Sequence, residues 1–416
     1  MKRSIASVIQ RLCALLGSVA LPLIRLPAPS PRERGEEGSV NVAASLLLPV
    51  TIRGEGRGSG MRGGASARWA SSYILLLLAI AFCTATSPAF AVSPDAILAD
   101  TPPKQLSAFG FFTDIAKQIP AENVTPFAPI TPLFSDNALK YRFVYLPEGQ
   151  SATYDDTEAF DFPIGTALIK TFAFPADFRA PEKDIRLIET RVLLKHEGGW
   201  QAWAYLWNDE QTEATLKITG AKVEIATVKA DGTPLSFTYA VPNKNQCKGC
   251  HAFNREIVPL GPKARNLNGD FPYASGPQNQ LAHWAEAKIL SGLPASSPAV
   301  PDWRDAAAPL DARARAWLDV NCAHCHRAEG AASNSGLFLT WGEKDRVRYG
   351  VGKRPVAAGK GSGDRSFDIK PGDPDGSILP SRVESTEPGV MMPELGRHVA
   401  DPEAVVLLRD WIASMR

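Results

Sequence analysis

From about residue 105 to residue 242 the chain alternates apolar and polar positions with a period of two. Tyr141, Phe143 and Tyr145 fall on one face of a segment, with Arg142 and Val144 on the other. Trp203, Tyr205 and Trp207 repeat the pattern, followed by Leu216 and Ile218, Val223 and Ile225, then Phe237 and Tyr239. Such alternation predicts half-buried β-strands, and Asp231-Gly232 between two of them predicts a hairpin. Short strands punctuated by Pro, Gly and Asp predict a β-sandwich-like domain over residues 92–242. Its aromatic row reads as a core face, with a carbohydrate platform as the alternative. His196 beside Glu197-Gly198-Gly199 reads as an exposed residue at a hairpin turn.

After residue 242 the period changes to that of helices. One helix is expected over Gln278–Leu290, with Leu281, Trp284, Ala285 and Ile289 on its apolar face. A Pro, Ala and Ser-rich linker covers residues 292–310. A second helix, Arg313–Val320, is expected to follow Asp311 as its cap. The last begins at Asp401-Pro402-Glu403, with cap, first-position proline and first-turn acid in order. Val405, Leu408, Trp411, Ile412 and Met415 share one of its faces. The expectation is therefore multidomain: a mainly-β region, then mainly-α segments at 243–291 and 311–416.

The chemistry lies in those later segments. Cys247-Lys-Gly-Cys250-His251 and Cys322-Ala-His-Cys325-His326 are two copies of Cys-x-x-Cys-His. This is the attachment signature of c-type haem. Each cysteine adds to a haem vinyl group, and the adjacent histidine becomes the proximal iron ligand. The motifs imply two covalently bound haem c groups, held by Cys247, Cys250, Cys322 and Cys325, with iron on His251 and His326. A shared zinc site would require both cysteine pairs in one four-ligand set, and the linker between them disfavours it.

Cys13 and Cys83 lie in the N-terminal 91 residues. Residues 61–91 read as a secretory signal peptide, with Arg62 and Arg68, an apolar run from Tyr73 to Phe82, and Ala89-Phe90-Ala91 as the cleavage site. Residues 1–60 read as an over-extended start or a disordered leader. Residues 1–91 hold 10 of the 45 Lys and Arg and 4 of the 44 Asp and Glu, leaving 35 against 40, a net of −5. An acidic remainder argues against nucleic acid as a partner and fits a soluble electron carrier meeting a positively charged patch. The signal peptide implies a periplasmic protein with no membrane span in the mature form.

Sixth ligands are scarcer. Beyond residue 91 the methionines are Met391, Met392 and Met415. Met415 belongs to the last helix's apolar face. Met392, made extended by Pro393, is the expected ligand of the second iron, and Met391 is the fallback. For the first iron the nearest free imidazole is His283, which points away from its helix's apolar face; His398 is a weaker option. His324 occupies a variable motif position and reads as a spectator. An iron left with no sixth ligand would be open to peroxide.

Lys370-Pro371-Gly372-Asp373-Pro374, Ser377-Ile378-Leu379, Arg382, Met392-Pro393-Glu394-Leu395-Gly396 and Trp411-Ile412 resemble the cytochrome c domains of bacterial periplasmic proteins. The whole region from residue 92 resembles an uncharacterised family of two-haem periplasmic cytochromes. That likeness rests on Pro132-Leu133-Phe134-Ser135-Asp136, Tyr205-Leu206-Trp207-Asn208-Asp209-Glu210-Gln211-Thr212, Asn266-Leu267-Asn268 and Asn279-Gln280-Leu281. The resemblance implies an accessory electron-transfer role without naming a donor. The function expected is the passage of single electrons between a periplasmic dehydrogenase and a respiratory acceptor. The alternatives are a dihaem redox enzyme such as a peroxidase with an open first haem, or an envelope glycan-binding or sensing module.

Overall fold

A computed structural model describes residues 91–356 and 358–416. The expected leader and signal peptide, with Cys13 and Cys83, lie outside the described residues apart from Ala91.

The alternating region forms one antiparallel six-stranded sheet. Its strands are β1 (Val124–Pro126), β2 (Leu139–Tyr145), β3 (Ala167–Pro175), β4 (Ile185–His196), β5 (Gly199–Trp207) and β6 (Ala214–Leu216), ordered β1-β2-β3-β4-β5-β6. β7 (Ala221–Val228) and β8 (Pro234–Val241) make a separate hairpin. Lys229 and Thr233 close its turn, and Gly232 supplies the positive φ of 84°. The architecture is thus a six-stranded layer partly covered by a two-stranded one, not two full sheets.

Each sheet face buries a different set of side chains. Phe143, Tyr145, Ile169, Val192, Leu194, Trp203, Tyr205 and Trp207 pack with Ile97, Leu106, Phe109 and Phe111 of the preceding segment. The aromatic row is core: Trp203 is 7%, Tyr205 0% and Trp207 6% exposed. This removes the carbohydrate platform. Tyr205 donates its hydroxyl proton to Pro103 O, and Trp207 Nε1 donates to Thr190 Oγ1.

The opposite face is divided. At one end Phe172, Phe174, Ile188 and Ala204 pack beneath Ile225, Tyr239 and Val241 of the hairpin. At the other end Val144, Leu168 and Trp200 join Phe127, Phe160 and Phe162, and also Ala264, Leu267, Leu281, Trp284 and Leu290. The second cluster fuses the sheet to the segment carrying the first Cys-x-x-Cys-His motif. Leu290 and Ser291 also pair in parallel with Ala152 and Thr153. His196 does sit at the β4–β5 turn, but it is half-buried rather than exposed, with Nε2 enclosed.

The later segments hold α1 (Lys244–His251), α2 (Gln280–Glu286), α3 (Leu310–Asn321), α4 (Ile378–Glu384) and α5 (Pro402–Ala413). Long irregular stretches separate them, so these segments are less helical than the periodicity predicts. Between residues 328 and 377 the density of Gly and Pro leaves no run long enough to propagate a helix. The expected helix at Gln278 starts later because Gln278 pairs with Phe271 in a short hairpin. Asn279 is the cap, accepting from Leu281 N and Ala282 N. Asp311 is likewise not the cap of α3 but lies in its first turn. There it accepts from Trp411 Nε1 at 2.9 Å, tying α3 to α5. Asp401 caps α5 as expected, through Ala404 N. Trp303, Trp317, Leu318, Tyr349, Leu408, Trp411 and Ile412 form the core of this region. Val300 and Trp303 are buried, so the far end of the expected linker is packed. Among the described residues no helix is long and apolar enough to cross a membrane.

Candidate functional site

Both motifs sit at the C-terminal ends of helices. α1 opens on a reciprocal cap: Asn243 Oδ1 accepts from Gln246 N, and Gln246 Oε1 accepts from Asn243 N. With the start fixed there, Cys247, Cys250 and His251 fall on the last turns, where i, i+3 and i, i+4 positions share a face. α3 ends as Cys322 N donates to Leu318 O, and the chain then coils tightly so that His326 N donates to Cys322 O.

The two histidines are prepared alike. His251 Nδ1 lies 2.8 Å from Val258 O. A carbonyl can only accept, so Nδ1 carries the proton and Nε2 keeps its lone pair. His326 Nδ1 lies 3.3 Å from Ser335 Oγ. That hydroxyl spends its single proton on Ala332 O at 2.7 Å, so it accepts from His326, and here too Nε2 is left as the base. Burial pushes both imidazoles down to about 4, which keeps them neutral. A neutral imidazole with Nδ1 pinned by an outer partner is the form that ligates metal. Burial also raises the Cys247 thiol and pushes Cys322 up to about 12.

The fold brings the motifs side by side. Cys325 Sγ lies 3.5 Å from Gly249 O, and Asn254 N donates to Glu329 O. Cys250 and Cys325 lie close enough to act on each other, which lowers the first thiol and raises the second. His324 lies close enough to the first motif for its charge to be felt at Cys250, and its Nδ1 is enclosed without a hydrogen-bond partner. Among the described residues no three His, Cys, Asp or Glu side chains are grouped as a metal site.

Charged residues fasten this junction. Arg327 grips Glu158 through two nitrogens, at 2.8 and 3.0 Å, and Lys263 reaches the same carboxylate. Arg265 and Asp319 form a bidentate pair with side chains only 7% and 6% exposed.

The loop from Met391 to Leu395 reaches the same neighbourhood. Met392 N donates to Arg382 O, and the buried Arg397 donates to Met392 O. Arg382 is close enough for its charge to be felt at His326, and Glu394 for its charge to be felt at Cys325. Leu395 Cδ1 stands 3.2 Å from where a Cβ on Gly249 would lie. Met391 and Met392 are both half-buried. His283 is engaged elsewhere. Its ring stacks on Tyr273 at 3.6 Å between centroids, and Nδ1 is 2.9 Å from Gln278 Oε1. His398 is held by the buried Asp136 at 3.1 Å.

The stretches behind the sequence resemblance turn out to be clasps between segments. Asp136 Oδ1 accepts from His398 N and Val399 N, and Phe134 N donates to Asn321 Oδ1. Asn266 exchanges two hydrogen bonds with Thr131, and Gln280 two with Ala128. No family model matches the chain, and neither curated proteins nor solved structures give a match.

Proposed function

We propose that this chain is a periplasmic two-haem c-type cytochrome that carries single electrons between a periplasmic dehydrogenase and a respiratory acceptor. One observation carries the reading: two Cys-x-x-Cys-His motifs lie side by side, each with its imidazole neutral, pinned at Nδ1 and free at Nε2. Cys247 and Cys250, and Cys322 and Cys325, are the sulfur donors for two haem c groups. His251 and His326 are the proximal iron ligands. Bound haem supplies a one-electron iron couple. The chain's own part is to fix the tautomers and hold the two sites adjacent. Met392 is the proposed sixth ligand of the second iron, with Met391 as fallback.

A second reading, a dihaem peroxidase with an open first iron, has one observation in its favour. Met391 and Met392 share one loop, which reaches both motifs, and Met415 packs against the helical core. With that loop given to the second iron, no methionine beyond residue 91 remains for the first. The deciding experiment is a visible spectrum of protein matured in a haem-attaching periplasm, oxidised and reduced, with and without carbon monoxide, together with a haem count. Two low-spin haems indifferent to carbon monoxide are expected. One haem that binds it would move the reading to an enzyme, and no covalent haem at all would end both readings.

A further inference from the structure

Arg142, Lys170 and Arg191 stand directly opposite one another on β2, β3 and β4. They form a transverse row of three cations, with Lys140 one step along the same face. Neighbouring strands lie only ~4.8 Å apart, and like charges directly opposite one another destabilise a sheet. Among the described residues, only Arg191 of the four is paired with a carboxylate. It meets Glu189, whose Oε1 also accepts from Tyr239. Lys140 has a backbone carbonyl as partner, and Lys170 lies over the Phe172 ring at 4.6 Å.

The ordinary reading of such a row is a solvated outer face, and the surroundings argue against it. The row lies between the two apolar clusters of this sheet face, with Val144 and Leu168 on one side and Phe172, Ile188 and Ala204 on the other. All four cations keep part of their surface free. Yet they are enclosed enough that desolvation pulls Lys140 down to about 7 and Lys170 well below its ordinary value. Groups both enclosed and partly uncovered line a recess. α1 packs against β5, the strand next to that of Arg191, although its Lys244 reaches over to the Trp203 ring of the other face. Arg191 is near enough to act on Cys247, and Lys170 near enough to act on His251.

We propose that this row is a carboxylate grip, in which Lys140, Arg142 and Lys170 hold the two propionates of the haem attached at Cys247, Cys250 and His251. The assignment rests on the haem reading above. It explains why a sheet face otherwise built for apolar packing carries three cations without carboxylate partners beside the first motif. It also gives the β-region a role, as the wall that the short segment 243–291 lacks. A free dicarboxylate ligand would satisfy the same chemistry, so the test separates the two sources.

The experiment uses the matured full chain and reads the midpoint potential of each haem by spectroelectrochemistry from pH 5 to 9. In Arg142→Met/Lys170→Met both haems stay attached, because thioethers hold them. Removing positive charge near one haem favours its oxidised state, so that haem's potential is expected to fall and its pH dependence to change, while the other's stays fixed. Lys170→Arg is expected to restore the wild-type values. If the double variant fails to fold, Lys140→Met, at the end of the row, gives the same readout in smaller measure. Two attached haems with both potentials and both pH profiles unchanged would overturn the grip and leave the electron-transfer reading intact. Succinate added to the wild type is expected to shift neither potential. A saturable shift would mean that the recess is open to free carboxylates and would overturn the propionate assignment. A wild-type chain without two haems counts against the underlying function instead.

Discussion

The two motif-bearing regions present the same five-residue pattern from opposite kinds of surroundings. α3 buries Ala314, Ala316, Trp317, Leu318 and Asn321, and its cluster is drawn entirely from residues 303–412. α1 buries no residue of its own. The cluster that its segment joins takes Phe127, Val144, Leu146, Ala152, Phe160, Phe162, Leu168 and Trp200 from the sheet region and only Ala264, Leu267, Leu281, Trp284 and Leu290 from the motif segment. A segment of about fifty residues cannot bury enough surface to stand alone. The second region carries its own core, whereas the first borrows one. The same five-residue motif is thus mounted on a self-sufficient helical core in one region and grafted onto a sheet in the other.

The largest expected effect is on the cofactor itself. Cys250→Ala and Cys325→Ala should each reduce covalent haem from two per chain to one, measured by mass and by haemochrome absorbance. Two haems retained in either variant would break the assignment of that motif. Next come the two central tryptophans. Trp284 and Trp317 are 0% and 2% exposed, and truncating either to alanine should cost about 3–5 kcal/mol. The comparison predicts different consequences. Trp284→Ala should lower the melting of the sheet and the first motif together, whereas Trp317→Ala should loosen the second motif while the sheet persists. Thermal unfolding followed in parallel by far-ultraviolet and Soret circular dichroism distinguishes these. A Trp284 variant with an unaltered sheet transition would refute the borrowed core.

The regions meet through Arg265 and Asp319, and breaking that buried pair tests how tightly they are joined. Arg265→Met leaves a buried carboxylate unpaired and should cost about 3 kcal/mol in denaturant unfolding. Adding Asp319→Leu should recover much of the loss, because removing both charges also removes the desolvation penalty. A double variant no better than the single would mean that the pair contributes through Asp319's other bond, from Trp341 N.

The sequence made the second region more legible than the first. Asp401-Pro402-Glu403 announced α5, and a helical stripe of apolar residues announced its buried face, because both signals are local. The strands were readable from their alternation, and so was the β7–β8 turn. What could not be read was anything set by pairing across the sheet. Arg142, Lys170 and Arg191 are far apart in sequence and become a row only through strand register. The one available hint was a charged residue at alternate positions of a strand whose other face is aromatic, as at Lys140 and Arg142. The clasp of Asp136 on residues 398 and 399 spans more than 260 positions and has no local signature.

A smaller effect concerns Lys140, whose neighbours are Arg142, Arg191, Arg304 and Asp136. Burial lowers it from 10.5 to about 7 in the folded chain. Below pH 7 both states are protonated and the folded state carries the full penalty of a buried cation. Between about 7 and 10.5 the unfolded chain holds the extra proton, so stability should rise with pH across that window. The slope should be seen in a Cys247→Ala/Cys250→Ala chain lacking the first haem and should disappear with Lys140→Met. A slope unchanged by that substitution would assign it to another group.

The smallest effect is the most discriminating for the first motif. His283 stacks on Tyr273 and bonds Gln278, both in its own hairpin and helix rather than beside His251. Losing that stack should cost about 0.5–1.5 kcal/mol, and the spectra of both haems should be unchanged in His283→Ala. A shift of the first haem to high spin would instead show that His283 leaves Tyr273 to bind iron. The grafted region would then differ from the self-sufficient one in a further respect. Its iron would be completed by a rearrangement, while the second region's would be completed by a methionine loop already held in place by Arg382 and Arg397.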